Sequence, residues 1–126
     1  MSNKKVDKAF NAMVWIESLE LDYKQGMGKL GSYEKGLCCL GLACYVNRLK
    51  FYDHWGMLPR KHMEALGLLG TTGDPISIIN QEGLRSLSEY NDEEEWSFKQ
   101  IAKHLKNNPH IYFIKEIAEE IKLAYS

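Results

Sequence analysis

The chain has 126 residues, 44% of them hydrophobic and 26% charged, enough for one domain with a real core and unlike a disordered polymer. Its 16 basic and 17 acidic side chains leave a net charge of −1, which argues against general nucleic-acid binding through the phosphate backbone. No apolar run reaches the ~18–20 residues of a membrane span and the start lacks an apolar leader core, so we read a protein of the reducing cytoplasm with free thiols and no membrane partner.

Four segments carry helical periodicity. The first sets Ala9, Ala12, Met13, Ile16 and Leu19 on one face, with Phe10 and Val14 widening it. A glycine-rich stretch from Asp22 to Gly36 follows and reads as surface turns around short extended pieces, with a small hairpin allowed. Cys39, Leu42, Ala43, Val46 and Leu49 form the second stripe, so the cysteines open that helix. A short helix is expected from near Pro59 to Gly67 or Gly70, then a turn at TTGDP and another short helix around Leu84, Leu87 and Ser88. The third periodic segment holds Phe98, Ile101, Ala102 and Leu105 behind an S-x-x-Q capping box at Ser97 and Gln100. The fourth places Ile111, Ile114, Ile117, Ala118 and Ile121 on one stripe, with Pro109 at the first helical position and Asn108 as its cap. Because KNNP is short, the last two helices are expected to pack as an antiparallel pair. The reading is a single domain over 1–126, mainly α with at most a minor β-hairpin.

Cys38, Cys39 and Cys44 are the only cysteines. Their spacing does not match paired zinc ligands, and His54, His62, His104 and His110 are scattered, so no metal is expected. A thiolate at a helix start is the enzymatic alternative: Cys38 or Cys39 as nucleophile, His62 (or His54 or His104) as base, and Asn91 or Asp92 to orient it. Tight packing of small apolar side chains is the reading we adopt. Trp15, Trp55 and Trp96 have Tyr23, Tyr52 and Tyr90 nearby in sequence as possible pocket walls, with core packing as the plain alternative. YKQGMGKLG lacks the arrangement of a phosphate loop, and Asp92 to Glu95 lack the alternation of a calcium loop.

Several stretches occur together: WIESLELDYKQGMGKL, then CCLGLAC, then LP, then LSEYND before SFKQIAKHL. This order resembles a widespread group of small bacteriophage and prophage proteins. Their pattern runs tryptophan, Y-x-Q-G-x-G-x-L, C-C-L-G-x-x-C, L-P, and N-D before S-F-x-x-I-A. The likeness spans Trp15 to Leu105 and matches Trp15, Tyr23, Gln25, Gly26, Gly28, Leu30, Cys38, Cys39, Gly41, Cys44, Asn91 and Asp92. The group's pattern sets no histidine at a fixed place. The resemblance implies a phage accessory protein in the host cytoplasm that binds a host or defence-system component, protein or small signalling molecule, without catalysis or cofactor. The expected ligand site is shallow, lined by Trp15, Tyr23, Gln25, Asn91 and Asp92 with Cys38 at its floor. There Gln25 and Asn91 would pair donor and acceptor groups, Trp15 and Tyr23 would stack and Asp92 would orient by charge, with Gln25 and Asn91 merely capping turns and helix ends as the plain alternative.

Overall fold

The computed structural model describes residues 7–51, 57–76 and 84–126. Asp7 starts α1 (Lys8–Ser18) by accepting the Phe10 N–H at 3.0 Å. Ala9, Ala12, Ile16 and Leu19 turn inward as the periodicity requires, and Trp15 joins them with no exposed surface. Phe10 does not widen this face: it is 60% exposed.

The segment after α1 folds back on itself. Gly31–Ser32 (β1) and Gly36–Leu37 (β2) form a two-residue antiparallel hairpin, with Gly31 opposite Leu37 and Ser32 opposite Gly36. On its other side β2 holds the preceding loop, as the Gly26 N–H donates to the Leu37 carbonyl at 2.8 Å and the Leu37 N–H to Lys24 at 2.9 Å. The glycine-rich stretch is therefore not the loose surface turn its composition suggests. Gly36 is buried, at φ 113°, because a side chain there would meet the backbone of Gln25 and Gly26.

The buried helix α2 (Cys39–Val46) follows directly, with Cys38 as its N-cap. Residues 39–44 are buried all round, which places α2 in the middle of the molecule rather than along one face. It ends in a left-handed turn at Arg48 (φ 57°). There the Leu49 N–H donates to the Cys44 carbonyl at 2.9 Å and the Arg48 N–H to Tyr45 at 3.3 Å, the bond pair of a Schellman motif. Glycine usually takes the place that arginine holds here.

α3 (Arg60–Ala65) is the short helix expected after Pro59, closed by Gly67 at φ 71°. α4 (Leu87–Asp92) has a reciprocal capping box between Ser86 and Glu89, and Asn91 and Asp92 close it. α5 (Phe98–Asn107) begins with the expected box of Ser97 and Gln100.

The last helical stripe is two helices, not one. α6 (Pro109–Tyr112) and α7 (Lys115–Ala124) are divided by extended backbone at Phe113 (ψ 154°) and Ile114 (ψ 154°). The break gains cross-chain pairing: the Leu69 N–H donates to Tyr112, the Ile114 N–H donates to Gly67, and Leu68 bridges Phe113. Phe113, 2% exposed, meets the Trp15 ring edge-on at 6.2 Å. Asn108 caps neither helix through its side chain, donating instead to the His104 carbonyl at 3.0 Å. α7 consequently lies chiefly on α1 and α6 and only lightly on α5, in place of the antiparallel pair. Ile117, Ala118 and Ile121 are buried there. The described residues make one mainly helical, compact domain with a minor hairpin, and none of their helices is long and apolar enough to cross a membrane.

Candidate functional site

Asn91 sits in the last turn of α4 and points into the core with no exposed surface. Its Oδ1 accepts from Gln25 Nε2 at 2.8 Å and from the Cys39 N–H at 3.2 Å. Its Nδ2 donates to the Gly26 carbonyl at 2.9 Å and to Asp92 Oδ1 at 2.8 Å. That same Asp92 oxygen accepts the Gly28 N–H at 2.8 Å, and Gln25 Nε2 also donates to the Trp96 carbonyl at 2.8 Å. Gln25, Asn91 and Asp92 thus come together from segments more than sixty residues apart. They join the glycine-rich loop, the start of α2 and the end of α4.

The arrangement is closed rather than open. Every polar atom of the Asn91 amide already has partners, so this side chain offers a ligand nothing. Trp15 is no stacking wall: it is fully buried, and its indole N–H donates to the Cys39 carbonyl at 2.8 Å. Together these groups lock the α2 N-terminus, supplying a partner for the helix's first free N–H. Tyr23 alone of the five expected ligand-binding residues reaches an exposed aromatic surface.

The thiols belong to the same interior. Cys38 Sγ accepts the Gly41 N–H at 3.3 Å, and Cys39 Sγ donates to the Leu87 carbonyl at 3.6 Å. Burial pushes Cys38 up to about 11 and Cys44 up to about 12, and raises Cys39 as well, against the favourable helix-start hydrogen bonds. His62, buried, bonds the Lys50 carbonyl at 2.5 Å, and His104 bonds Tyr112. No thiol–imidazole pair is assembled from Cys38, Cys39 and His62, and Asn91 is engaged elsewhere. All three thiols should resist iodoacetamide near neutral pH and react together only in denaturant. Rapid labelling of one thiol in the folded protein below pH ~8.5 would restore the nucleophile reading. His54, Trp55 and Tyr52 lie outside the described residues. Among the described residues no group of three His, Cys, Asp or Glu side chains is placed to hold a metal ion.

His104 completes a separate aromatic box. The Tyr90 and Trp96 rings stack at 4.0 Å, and His104 meets them edge-on at 5.0 and 5.2 Å. Tyr112 Oη donates to the Arg85 carbonyl at 3.1 Å, so it accepts from His104 Nε2 at 2.8 Å, which sets the neutral tautomer. Nδ1 faces the Asn108 amide at 3.4 Å, and no carboxylate among the described residues bonds the ring. Burial lowers the imidazole below its ordinary value. A depressed folded value means stability present above the unfolded pKa of ~6.5 and lost as pH falls through it. The melting temperature should therefore drop between pH 7.5 and 5.5, and His104→Gln should reduce that drop. Equal slopes in the two proteins would show that the ring charges in place without penalty.

The exposed face lies where Tyr23, Tyr33 and Tyr45 meet. Tyr33 and Tyr45 stack at 5.4 Å with 18° between planes, and Tyr23 meets both edge-on at 6.5 and 6.1 Å. Tyr33 (59% exposed) comes from the hairpin turn, Tyr45 (41%) from the outer side of α2, and Tyr23 from the loop after α1. Two shallow clefts flank the cluster. One, of about 480 Å³, is lined by Leu21, Asp22, Tyr23, Lys24, Tyr33 and Glu34. The other, of about 530 Å³, is lined by Val14, Ser18, Tyr23, Tyr45, Val46 and Arg48. Sequence reasoning missed Tyr33, Tyr45 and Arg48. The available signal was Tyr45, a large aromatic standing off the apolar stripe of its own helix. Compared with protein-family models, curated proteins and solved structures, the chain matches none.

Proposed function

We propose that the chain is a non-catalytic binding protein that engages a host or defence-system component in the host cytoplasm, in the manner of the phage accessory proteins whose sequence pattern it resembles. The observation that carries the reading is the tyrosine face. Tyrosine brings large, stiff contact area with a polar tip, which is why it is enriched where binding energy concentrates. Here three rings hold one another in place before any partner arrives, so little side-chain freedom is lost on binding. The buried state of the thiols and the satisfied Asn91 amide speak for a binding role over a catalytic one.

The test is capture from bacterial lysate on the immobilised protein, with mass spectrometry of retained proteins and released small molecules. A Tyr23→Ser/Tyr45→Ser variant, checked for an unchanged melting profile, serves as the control. A component held by the native chain and lost from the variant supports the reading. Equal retention by both, or retention by neither across growth and infection conditions, defeats it.

A further inference from the structure

The two clefts on either side of the tyrosine cluster differ in charge. In the first, Asp22 and Glu34 stand with Lys24, and neither carboxylate has a side-chain hydrogen bond or ion pair among the described residues. In the second, Arg48 is the one charged lining residue among the described residues, and its guanidinium has no partner among them either. Tyr33 lines the first cleft, Tyr45 the second, and Tyr23 both. The stacked pair therefore stands as a ridge between an acidic hollow and a basic one.

Arg48 gives a second, independent sign. It occupies the left-handed position after α2, at φ 57°, where glycine is the low-cost choice. Backbone strain of this kind clusters at functional sites. Here it holds an unpaired planar guanidinium beside an aromatic wall, the geometry that takes a carboxylate in two parallel hydrogen bonds.

We infer that the two clefts together dock an extended segment of a partner protein, with a basic side chain received between Asp22 and Glu34 and a carboxylate received by Arg48. The inference rests on the binding role proposed above and names the chemistry of its partner. Two stacked rings with centroids 5.4 Å apart, plus their own thickness, make a ridge about 9 Å across, and because side chains on one face of an extended chain recur every ~6.6 Å, positions i, i+2 and i+4 span it. The residue over the ridge is apolar or aromatic. A segment with the two charges reversed meets like charge at both ends, so polarity as well as composition is specified. Shallow, open clefts around exposed rings suit a draped chain better than an enclosed small molecule.

The probe is a randomised peptide library selected on the immobilised full chain. Enriched sequences should share a basic and an acidic residue four positions apart with an apolar one midway, so that all three side chains face the surface, in a single order. Arg48→Glu should weaken a selected peptide at least about tenfold, and exchanging that peptide's carboxylate for lysine should recover the loss. Arg48→Gly should melt at the same temperature or higher and still lose the peptide, separating recognition from folding. Enrichment without the charge pair, indifference to Arg48→Glu, or no recovery by the exchanged peptide overturns the inference. So does concentration-dependent self-association that the tyrosine substitutions abolish, because a second copy would then be the occupant. Should lysate capture depend on Tyr23 and Tyr45 while the library yields no charge-paired sequence, this inference falls and the binding role stands.

Discussion

Replacing Asn91 with leucine is expected to destabilise the domain by about 4 kcal/mol, a large share of the 5–15 kcal/mol typical of a folded domain. Leucine keeps the branching of the side chain but is bulkier and removes every hydrogen bond of the amide. The Cys39 N–H and the Gly26 carbonyl lose the side-chain partner each has here, and an orphaned buried group costs about 1–3 kcal/mol. Gln25 and Asp92 keep second partners in Trp96 and Gly28, which limits the damage at those ends. Gln25→Leu should therefore cost only about 1 kcal/mol, since Asn91 Oδ1 still accepts from Cys39. Asn91→Asp keeps the acceptor, loses the donor and sets a second carboxylate against Asp92, so it should fall between the two. Urea denaturation of the three variants checks the order. A loss below about 1 kcal/mol for Asn91→Leu would mean that the loop reseats or admits water, and the amide would not be the lock described.

How much of this was legible in the sequence depends on how local each determinant is. The start of α5 was readable to the residue because Ser97 and Gln100 satisfy each other's backbone within one turn. The division of α6 from α7 was not. The stripe of Ile111, Ile114, Ile117 and Ile121 fits one helix, and only the distant carbonyl of Gly67 and the bridge to Leu68 make extended backbone better at Phe113 and Ile114. In hindsight the run Ile111 to Ile114 is aromatic and β-branched, which weakens a helix locally. Gln25, Asn91 and Asp92 were legible as a group, but pattern alone left open whether they would line a site or cap turns and helix ends. Their burial depends on Gly36 packing against Gly26, a backbone contact that side-chain pattern does not encode. The tyrosine face was invisible for the same reason: Tyr33 reaches Tyr45 only once the hairpin has folded under α2.

That backbone packing sets the second large effect. Gly41→Ala is expected to cost at least about 3 kcal/mol, although alanine is the better helix former by about 1 kcal/mol. A methyl group at Gly41 would lie 1.9 Å from the Leu30 carbonyl oxygen and 2.7 Å from its carbon, well inside contact distance with backbone that cannot rotate aside. Relief needs a separation of over about 1 Å between α2 and the loop. The same Leu30 oxygen accepts the Cys38 N–H at 3.2 Å, so moving apart breaks the bond that seats the helix start. It also loosens the loop whose Gly26 carbonyl and Gly28 N–H meet Asn91 and Asp92. The two substitutions should therefore be coupled. The double variant Gly41→Ala/Asn91→Leu should lose less than the sum of the single losses, because once the loop has lifted the amide has fewer bonds left to remove. Chemical denaturation of the four proteins closes the cycle. Strict additivity would show that the helix start and the Asn91 lock are independent structures, and a near-neutral Gly41→Ala would show that the loop moves freely.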